Sequence, residues 1–336
     1  MARAAHTELI DRFGRRHDYL RISLTERCNL RCTYCMPGEG IVLRPRSHFM
    51  RTHEVQALAA TFVELGVRKI RLTGGEPLVR RDAAEVIRGL GRLPVELAIT
   101  TNGVLLDRFL DTFEEAGLRA VNISLDSLRA DRMAAISRRN HFQRTMDNIG
   151  LARRRGFQVK VNMVVMRGVN DDEVTDFIEW TREEPLHVRF IEFMPFNGNR
   201  WEWGRGVSAG EILARATEHF GAEGFRRADD RPHDTARHYR LAGGAGTFAV
   251  ISSVTEPFCG TCNRIRLTAD GKLKNCLFGR HETDLLTPLR AGEDIRPLIT
   301  GAVLRKEAMR GGMDTPGKLA DGTLHAANRS MVAIGG

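Results

Sequence analysis

The six cysteines of this 336-residue chain fall into two groups of three: Cys28, Cys32 and Cys35, then Cys259, Cys262 and Cys276. In a reducing compartment such grouping points to metal rather than to disulfides. A structural zinc or a fully ligated four-iron cluster takes four protein ligands, so a trio of thiolates leaves one metal position open for a substrate or cofactor. The first trio has C-x3-C-x2-C spacing, with Tyr34 just before its last cysteine. A zinc ion completed by His48 or His53 competes for these thiols, but zinc sites usually pair cysteines as C-x2–4-C units. The second trio, Cys259-x2-Cys262-x13-Cys276, is less specific: read alone, it fits a zinc ribbon lacking one ligand as well as a cluster.

Thiols this far apart in sequence need a frame to position them, and short β-branched runs alternating with helical patterns supply one. Strands are predicted near Leu20–Thr25, Lys69–Thr73, Glu96–Thr101, Ala120–Leu125, Val159–Met166 and His187–Met194, with helices such as Thr52–Gly66 and Asp171–Glu183 between them. Six βα units predict an α/β fold built as an incomplete (βα)6 TIM-type barrel. Polar groups collect where its strands would end: the first cysteine loop, Gly74-Gly75-Glu76-Pro77, Thr100-Thr101-Asn102-Gly103 and Ser124-Leu125-Asp126. From about Glu211 the runs shorten and Gly-rich turns surround the second trio. Residues 1–210 are therefore expected to form the partial barrel, and 211–336 a C-terminal α+β subdomain.

Composition narrows the class without choosing a partner. A 42% hydrophobic, 28% charged chain with 11 prolines is an ordinary folded protein. Met1–Leu20 is polar and arginine-rich, and nothing approaches the roughly 20 apolar residues of a membrane span, so a cytoplasmic protein with no membrane partner is expected. The net charge of +9 suits nucleic acid, an anionic surface or a nucleotide triphosphate, and equally a solvated arginine-rich surface.

The run Arg27-Cys28-Asn29-Leu30-Arg31-Cys32-Thr33-Tyr34-Cys35, followed after the second strand by Gly74-Gly75-Glu76-Pro77, closely resembles the radical S-adenosylmethionine (SAM) superfamily. Four longer segments narrow the resemblance to the MoaA family of GTP 3′,8-cyclases, which act in molybdenum cofactor biosynthesis. They are Arg21-Ile22-Ser23-Leu24-Thr25-Glu26-Arg27-Cys28, Arg71-Leu72-Thr73-Gly74-Gly75-Glu76-Pro77-Leu78, Arg189-Phe190-Ile191-Glu192-Phe193-Met194 and Phe258-Cys259-Gly260-Thr261-Cys262-Asn263-Arg264-Ile265-Arg266-Leu267. Ile334-Gly335-Gly336 resembles that family's double-glycine tail. Agreement is weakest in Ala291–Ala327, to which no role is given.

The resemblance implies two [4Fe-4S] clusters. Cys28, Cys32 and Cys35 would hold one whose open iron chelates SAM, with Tyr34, Gly75, Ser124 and Met194 lining the SAM site. Cys259, Cys262 and Cys276 would hold another that meets the guanine of GTP, so no Walker loop is needed, and the sequence has no G-x4-G-K-[ST]. A 5′-deoxyadenosyl radical would take the ribose 3′ hydrogen, and C3′ would then bond to guanine C8. The triphosphate needs cations, for which Arg21, Arg71, Lys160, Arg264 and Arg266 are expected, with Thr100 as a neutral contact and Lys69 and Arg189 behind them. Arg264, Arg266, Gly335 and Gly336 are the expected catalytic set, the glycines reaching into the barrel mouth to order the arginines. Implied partners are a low-potential electron donor and the next pathway enzyme, cyclic pyranopterin monophosphate synthase, with no nucleic acid; the chain is taken as a monomer or homodimer. Two rival readings share some of these features: a radical SAM peptide-modifying enzyme with an auxiliary cluster, and a zinc-stabilised nucleic-acid-binding protein.

Overall fold

The computed structural model describes residues 8–36, 40–42, 44–199, 201–230 and 233–335. Gly336, one of the expected catalytic residues, lies outside the described residues. Six strands, β1 (Tyr19–Ser23), β2 (Lys69–Thr73), β3 (Glu96–Thr101), β4 (Ala120–Ser124), β5 (Gln158–Val165) and β6 (His187–Glu192), pair in parallel in chain order. The predicted bounds of β2 and β3 coincide with these, and the other four differ by one or two residues at their ends.

Period-two alternation decides what each strand face meets. In β5, Val159, Val161, Met163 and Val165 join the core, while Lys160 and Asn162 face a central cavity. β1 divides likewise into Leu20 and Ile22 against Tyr19 and Arg21, and β2 into Ile70 and Leu72 against Lys69 and Arg71. Helices α1 (Thr52–Glu64), α2 (Ala83–Leu90), α3 (Leu110–Glu115), α4 (Ala130–Ser137), α5 (Phe142–Arg154), α6 (Val174–Glu183) and α7 (Ala209–Phe220) lie between or after these strands. They bury apolar stripes in the same core: in α1, Val55, Leu58, Ala59 and Phe62 recur at three- and four-residue steps. The Glu54 carboxylate accepts a 2.6 Å hydrogen bond from the Arg51 N–H and fixes where that helix starts.

The C-terminal strands extend the same sheet at both of its sides. β7 (Phe225–Arg227), β8 (Arg237–Leu241), β9 (Thr247–Ile251), β10 (Arg264–Leu267), β11 (Lys272–Lys274) and β12 (Thr283–Asp284) form no sheet of their own. β10 adds in parallel to β1, with Tyr19 opposite Arg264 and Arg21 opposite Arg266, and β9 adds in parallel to β6. The sheet thus runs β12-β11-β10-β1-β2-β3-β4-β5-β6-β9-β8-β7, with eight parallel strands inside antiparallel edges. Arg264 of β10 and Thr247 of β9, at opposite ends of the parallel run, line one cavity, so the sheet curls into an open barrel.

Short helices α8 (Leu286–Arg290), α9 (Arg296–Leu304), α10 (Pro316–Ala320), α11 (Gly322–Ala326) and α12 (Met331–Ile334) follow, and Met331 and Val332 of α12 come back to the barrel mouth. Among the described residues no helix is long and apolar enough to cross a membrane.

Candidate active site

The loop after β1 carries the first trio, and all three thiols line a pocket of about 180 Å³ at the carboxyl ends of the strands. Backbone bonds hang this loop on the end of α4: Arg31 N–H to Ser137 O at 2.9 Å and Thr33 N–H to Ile136 O at 3.0 Å. The Tyr34 hydroxyl donates to Asp126 Oδ2 at 2.7 Å, and the carboxylate also accepts from Val164 N–H at 2.9 Å. Burial raises the Asp126 pKa to about 6 despite these donors. Tyr34 therefore ties the cysteine loop to β4 and β5. Tyr34→Phe should leave a buried carboxylate short of one donor, costing about 1–3 kcal/mol; a melting temperature lowered by several degrees, with iron lost faster to a chelator, checks this.

Burial raises the Cys28 thiol to about 11, helped by the Glu76 carboxylate, and pushes Cys32 and Cys35 up as well, both of which are also raised by other thiols of the trio. Such a group gives up its protons readily only to a metal centre that compensates three thiolate charges. The donor set thus fits an iron–sulfur cluster with an open position toward the pocket. Among the described residues no three His, Cys, Asp or Glu side chains close on a single-ion site; thiols around a cluster of several irons stand farther apart than ligands of one ion.

Gly74 and Gly75 line this pocket, and the structure gives them a packing role as well. A Cβ on Gly75 would lie 2.4 Å from Arg27 O, and one on Gly74 2.7 Å from Thr25 O, while Gly75 N–H donates to Thr25 O at 2.7 Å. The glycines let the β2 loop pack backbone to backbone against the cysteine loop. Glu76, fully buried with its pKa raised to about 7 by that burial, accepts from Asn102 N–H at 2.7 Å and Thr101 Oγ1 at 2.8 Å and binds the β2 loop to the β3 loop.

Deeper in the barrel lies the second cavity, of about 690 Å³. It shares Thr100, Asn162, Ile191, Met194 and Met331 with the thiol pocket, so the two form one connected lumen. Eight arginines and lysines line it against two aspartates. The interior of an ordinary βα barrel is filled by apolar side chains; a cationic lumen implies an anionic occupant. The charges strain one another. Burial and then Arg189 and Arg71 lower Lys160 to about 8; burial and then Arg266 lower Arg21; burial raises Tyr19, but Arg71, Arg21 and Arg264 bring it down to about 7. Thr100 Oγ1 and Arg264 Nε are buried with no hydrogen-bond partner, polar atoms of the kind a ligand satisfies.

The second trio stands beside this lumen. Cys259 and Cys262 flank a turn between β9 and β10, and Cys276 follows β11, packed near Phe278 and Met313. Burial raises the Cys259 thiol; at Cys262 burial acts the same way, but Lys306 and Arg264 together outweigh it and lower the thiol. Arg264 and Arg266 follow on β10, facing the lumen rather than forming a solvated sheet face. Arg266 Nη1 donates to Gly335 O at 2.8 Å.

The structure thus brings together Tyr34, Gly75, Ser124 and Met194 in the upper pocket, and Arg21, Arg71, Thr100, Lys160, Arg264 and Arg266 in the lower one, with Lys69 and Arg189 among them. Lys69 is committed to Glu96 at 2.5 Å and Arg189 to Asn162 at 2.9 Å. Sequence reasoning placed Asn162 beside Lys160 on the fifth strand without giving it a role, though it borders both pockets, and passed over Lys306 beside Cys262. Asn162 carried one signal, standing two residues after Lys160 on the same strand face.

The cysteine loop, the glycine turn and the curled parallel sheet define a radical SAM protein. Residues 22–181 match the model for the radical SAM superfamily, and residues 186–310 that for molybdenum cofactor synthesis C. The chain is 48% identical over 334 residues to the mitochondrial GTP 3′,8-cyclase of Arabidopsis thaliana, covering 98% of this chain and 83% of that one. It is 41% identical over 302 residues to the GTP 3′,8-cyclase of Listeria welshimeri, covering 89% and 90%. The chain belongs to the GTP 3′,8-cyclase family. It spans about half the length of the curated animal relatives it matches, named molybdenum cofactor biosynthesis protein 1. Among solved structures, Streptococcus suis SuiB bound to S-adenosylmethionine matches with TM-score 0.59 at 13% identity, covering 92% of this chain and 72% of that one, a likeness of fold.

Proposed function

We propose that this chain is itself a GTP 3′,8-cyclase, joining ribose C3′ of GTP to guanine C8 in the first step of molybdenum cofactor biosynthesis. The observation that carries this is the continuity of a thiol-lined pocket with a cationic cavity large enough for a nucleotide triphosphate. When bound, the first cluster and SAM supply the one-electron chemistry that opens the reaction. The protein's part is placement and exclusion of water. Cys28, Cys32 and Cys35 hold the first cluster, and Tyr34, Gly75, Ser124 and Met194 border SAM. Arg21, Arg71, Lys160 and Arg264 bind the triphosphate, with Thr100 donating its otherwise unpartnered hydroxyl. Arg266, fixed by Gly335 O, stays aimed at the reacting end.

Cys259, Cys262 and Cys276 would hold the second cluster, which would supply a binding point for the guanine. Residues 1–210 thus serve SAM and residues 211–336 complete the nucleotide site. The protein works in the cytoplasm, as a monomer or homodimer, takes its electron from a low-potential donor and passes its product to cyclic pyranopterin monophosphate synthase. Anaerobic reconstitution tests the two-cluster reading: about eight irons and eight sulfides per chain are expected, whereas about two zinc ions would move the assignment to a metal-stabilised binding protein.

Lys160 gives a second test. Its ammonium is present below about pH 8 in the free protein and lost above, and a bound tetra-anion favours the charged form. The dissociation constant for GTP should therefore rise up to about tenfold per pH unit above pH 8. Lys160→Arg should flatten that rise, leaving the part set by the other lumen groups, Tyr19 among them, which titrate in both proteins. Titration calorimetry from pH 7 to 9.5 reads both.

A further inference from the structure

We propose that Lys306 is a positioning residue of the second thiolate site, placing a fixed positive charge on Cys262 Sγ that raises the reduction potential of the cluster bound there. The inference rests on the reading that the second trio holds a cluster.

Lys306 lies just past α9, within the stretch where the family resemblance is weakest. Its side chain is buried, the residue only 3% exposed. Nζ donates to Cys262 Sγ at 3.4 Å and to Arg264 O at 2.8 Å, so one ammonium touches a thiolate ligand and the first residue of the strand that carries the lumen arginines. Its third contact is His17 Nδ1 at 3.4 Å. His17 Nε2 stands 3.0 Å from Asp11 Oδ2, and Arg15 Nε donates to the same oxygen at 2.6 Å. Burial, then Lys306, holds His17 neutral with its pKa near 4, which fits a ring whose Nδ1 accepts from Lys306 while Nε2–H donates to Asp11.

Arg15 closes the ring of contacts by donating to Cys259 O at 2.9 Å, Ala308 O at 2.8 Å and Glu307 O at 2.8 Å. The N-terminal segment thus staples the Lys306 loop to the cysteine turn. Arg310 N–H donates to Cys259 Sγ at 3.4 Å, its backbone held at φ 43°, in the left-handed region a non-glycine residue enters only under constraint. Two of the three thiols therefore receive a hydrogen bond from residues 306–310. A buried lysine loses its hydration and is retained only where a charge needs it. Hydrogen bonds to sulfur and local net charge set the potential of a thiolate-held cluster, and a cation favours the reduced, more negative form.

The test is a redox titration of the reconstituted holoenzyme followed by electron paramagnetic resonance. The signal that SAM perturbs is assigned to the first cluster and the remaining signal to the second. Lys306→Met should keep the full iron content yet shift the second midpoint negative, with the reduced-to-oxidised ratio at the wild-type midpoint about tenfold lower, or about 59 mV. The first midpoint should stay in place, and Lys306→Arg should restore the second. A second midpoint unmoved in Lys306→Met at full iron content overturns the proposal. If Lys306→Met does not hold the second cluster, His17→Phe, which removes only the brace, decides: a smaller negative shift supports it and an unmoved midpoint overturns it. A wild-type protein that holds only about four irons would instead remove the second cluster itself.

Discussion

Cys32→Ala will reduce 5′-deoxyadenosine formation to background and lower the iron content from about eight to about four per chain, leaving the second site loaded. The size of the effect follows from where the thiol sits. Cys32 lies between the other two in the loop, its carbonyl accepting Cys35 N–H at 3.0 Å, and all three thiols line the one pocket. Two remaining thiolates leave a second iron open and the cluster exposed to loss. Because the cluster and SAM carry the difficult chemistry, no protein group substitutes for them, and the expected fall exceeds about 10³-fold. Iron counting beside product chromatography checks it. Retention of eight irons with full activity would show that the first trio is not the ligand set.

Gly335→Ala is expected to lower kcat/KM for GTP by about 10²-fold, from loss of one positioned charged donor, while SAM cleavage falls much less. Gly335 sits at φ 92° beneath the ends of β1 and β2, and a Cβ there would lie 2.6 Å from Thr73 Oγ1 and 2.9 Å from Ser23 Cβ. Alanine cannot keep both that backbone angle and that contact. The carbonyl then moves away from Arg266, whose Nη1 it accepts at 2.8 Å. Arg266 is 8% exposed and pressed by burial and by Arg264, so without its acceptor it relaxes away from the nucleotide. The signature is uncoupling: 5′-deoxyadenosine released per cyclised nucleotide rises. Equal loss of both activities would place Gly335 in general packing.

The parts of the fold that the sequence made legible are those with local signals. β2 and β3 alternate cleanly and stop at turns marked by Gly74 and Gly103, so their bounds were readable. β9 and β10 were not, because they are only five and four residues long and their partners lie far away in the chain, Tyr19 opposite Arg264 and His187 opposite Thr247. Their short runs marked a change of rhythm in the chain but not that they flank the barrel opening on its two sides. The arginines of β10 were legible as a spaced pair, but which face they occupy depended on that pairing. Lys306 was invisible for a plainer reason: a buried lysine and an exposed one look alike in sequence, and only the convergence of His17, Cys262 and Arg264 distinguishes them.

The central claim is tested most directly by incubating the reduced, reconstituted protein with SAM and GTP, ATP, CTP, UTP or no nucleotide, measuring 5′-deoxyadenosine and the mass and chromatographic identity of the nucleotide recovered. Release with GTP alone, together with an isomer of unchanged mass joined between C3′ and C8, is the result predicted. Release independent of the nucleotide, or none from iron-loaded protein, would contradict it.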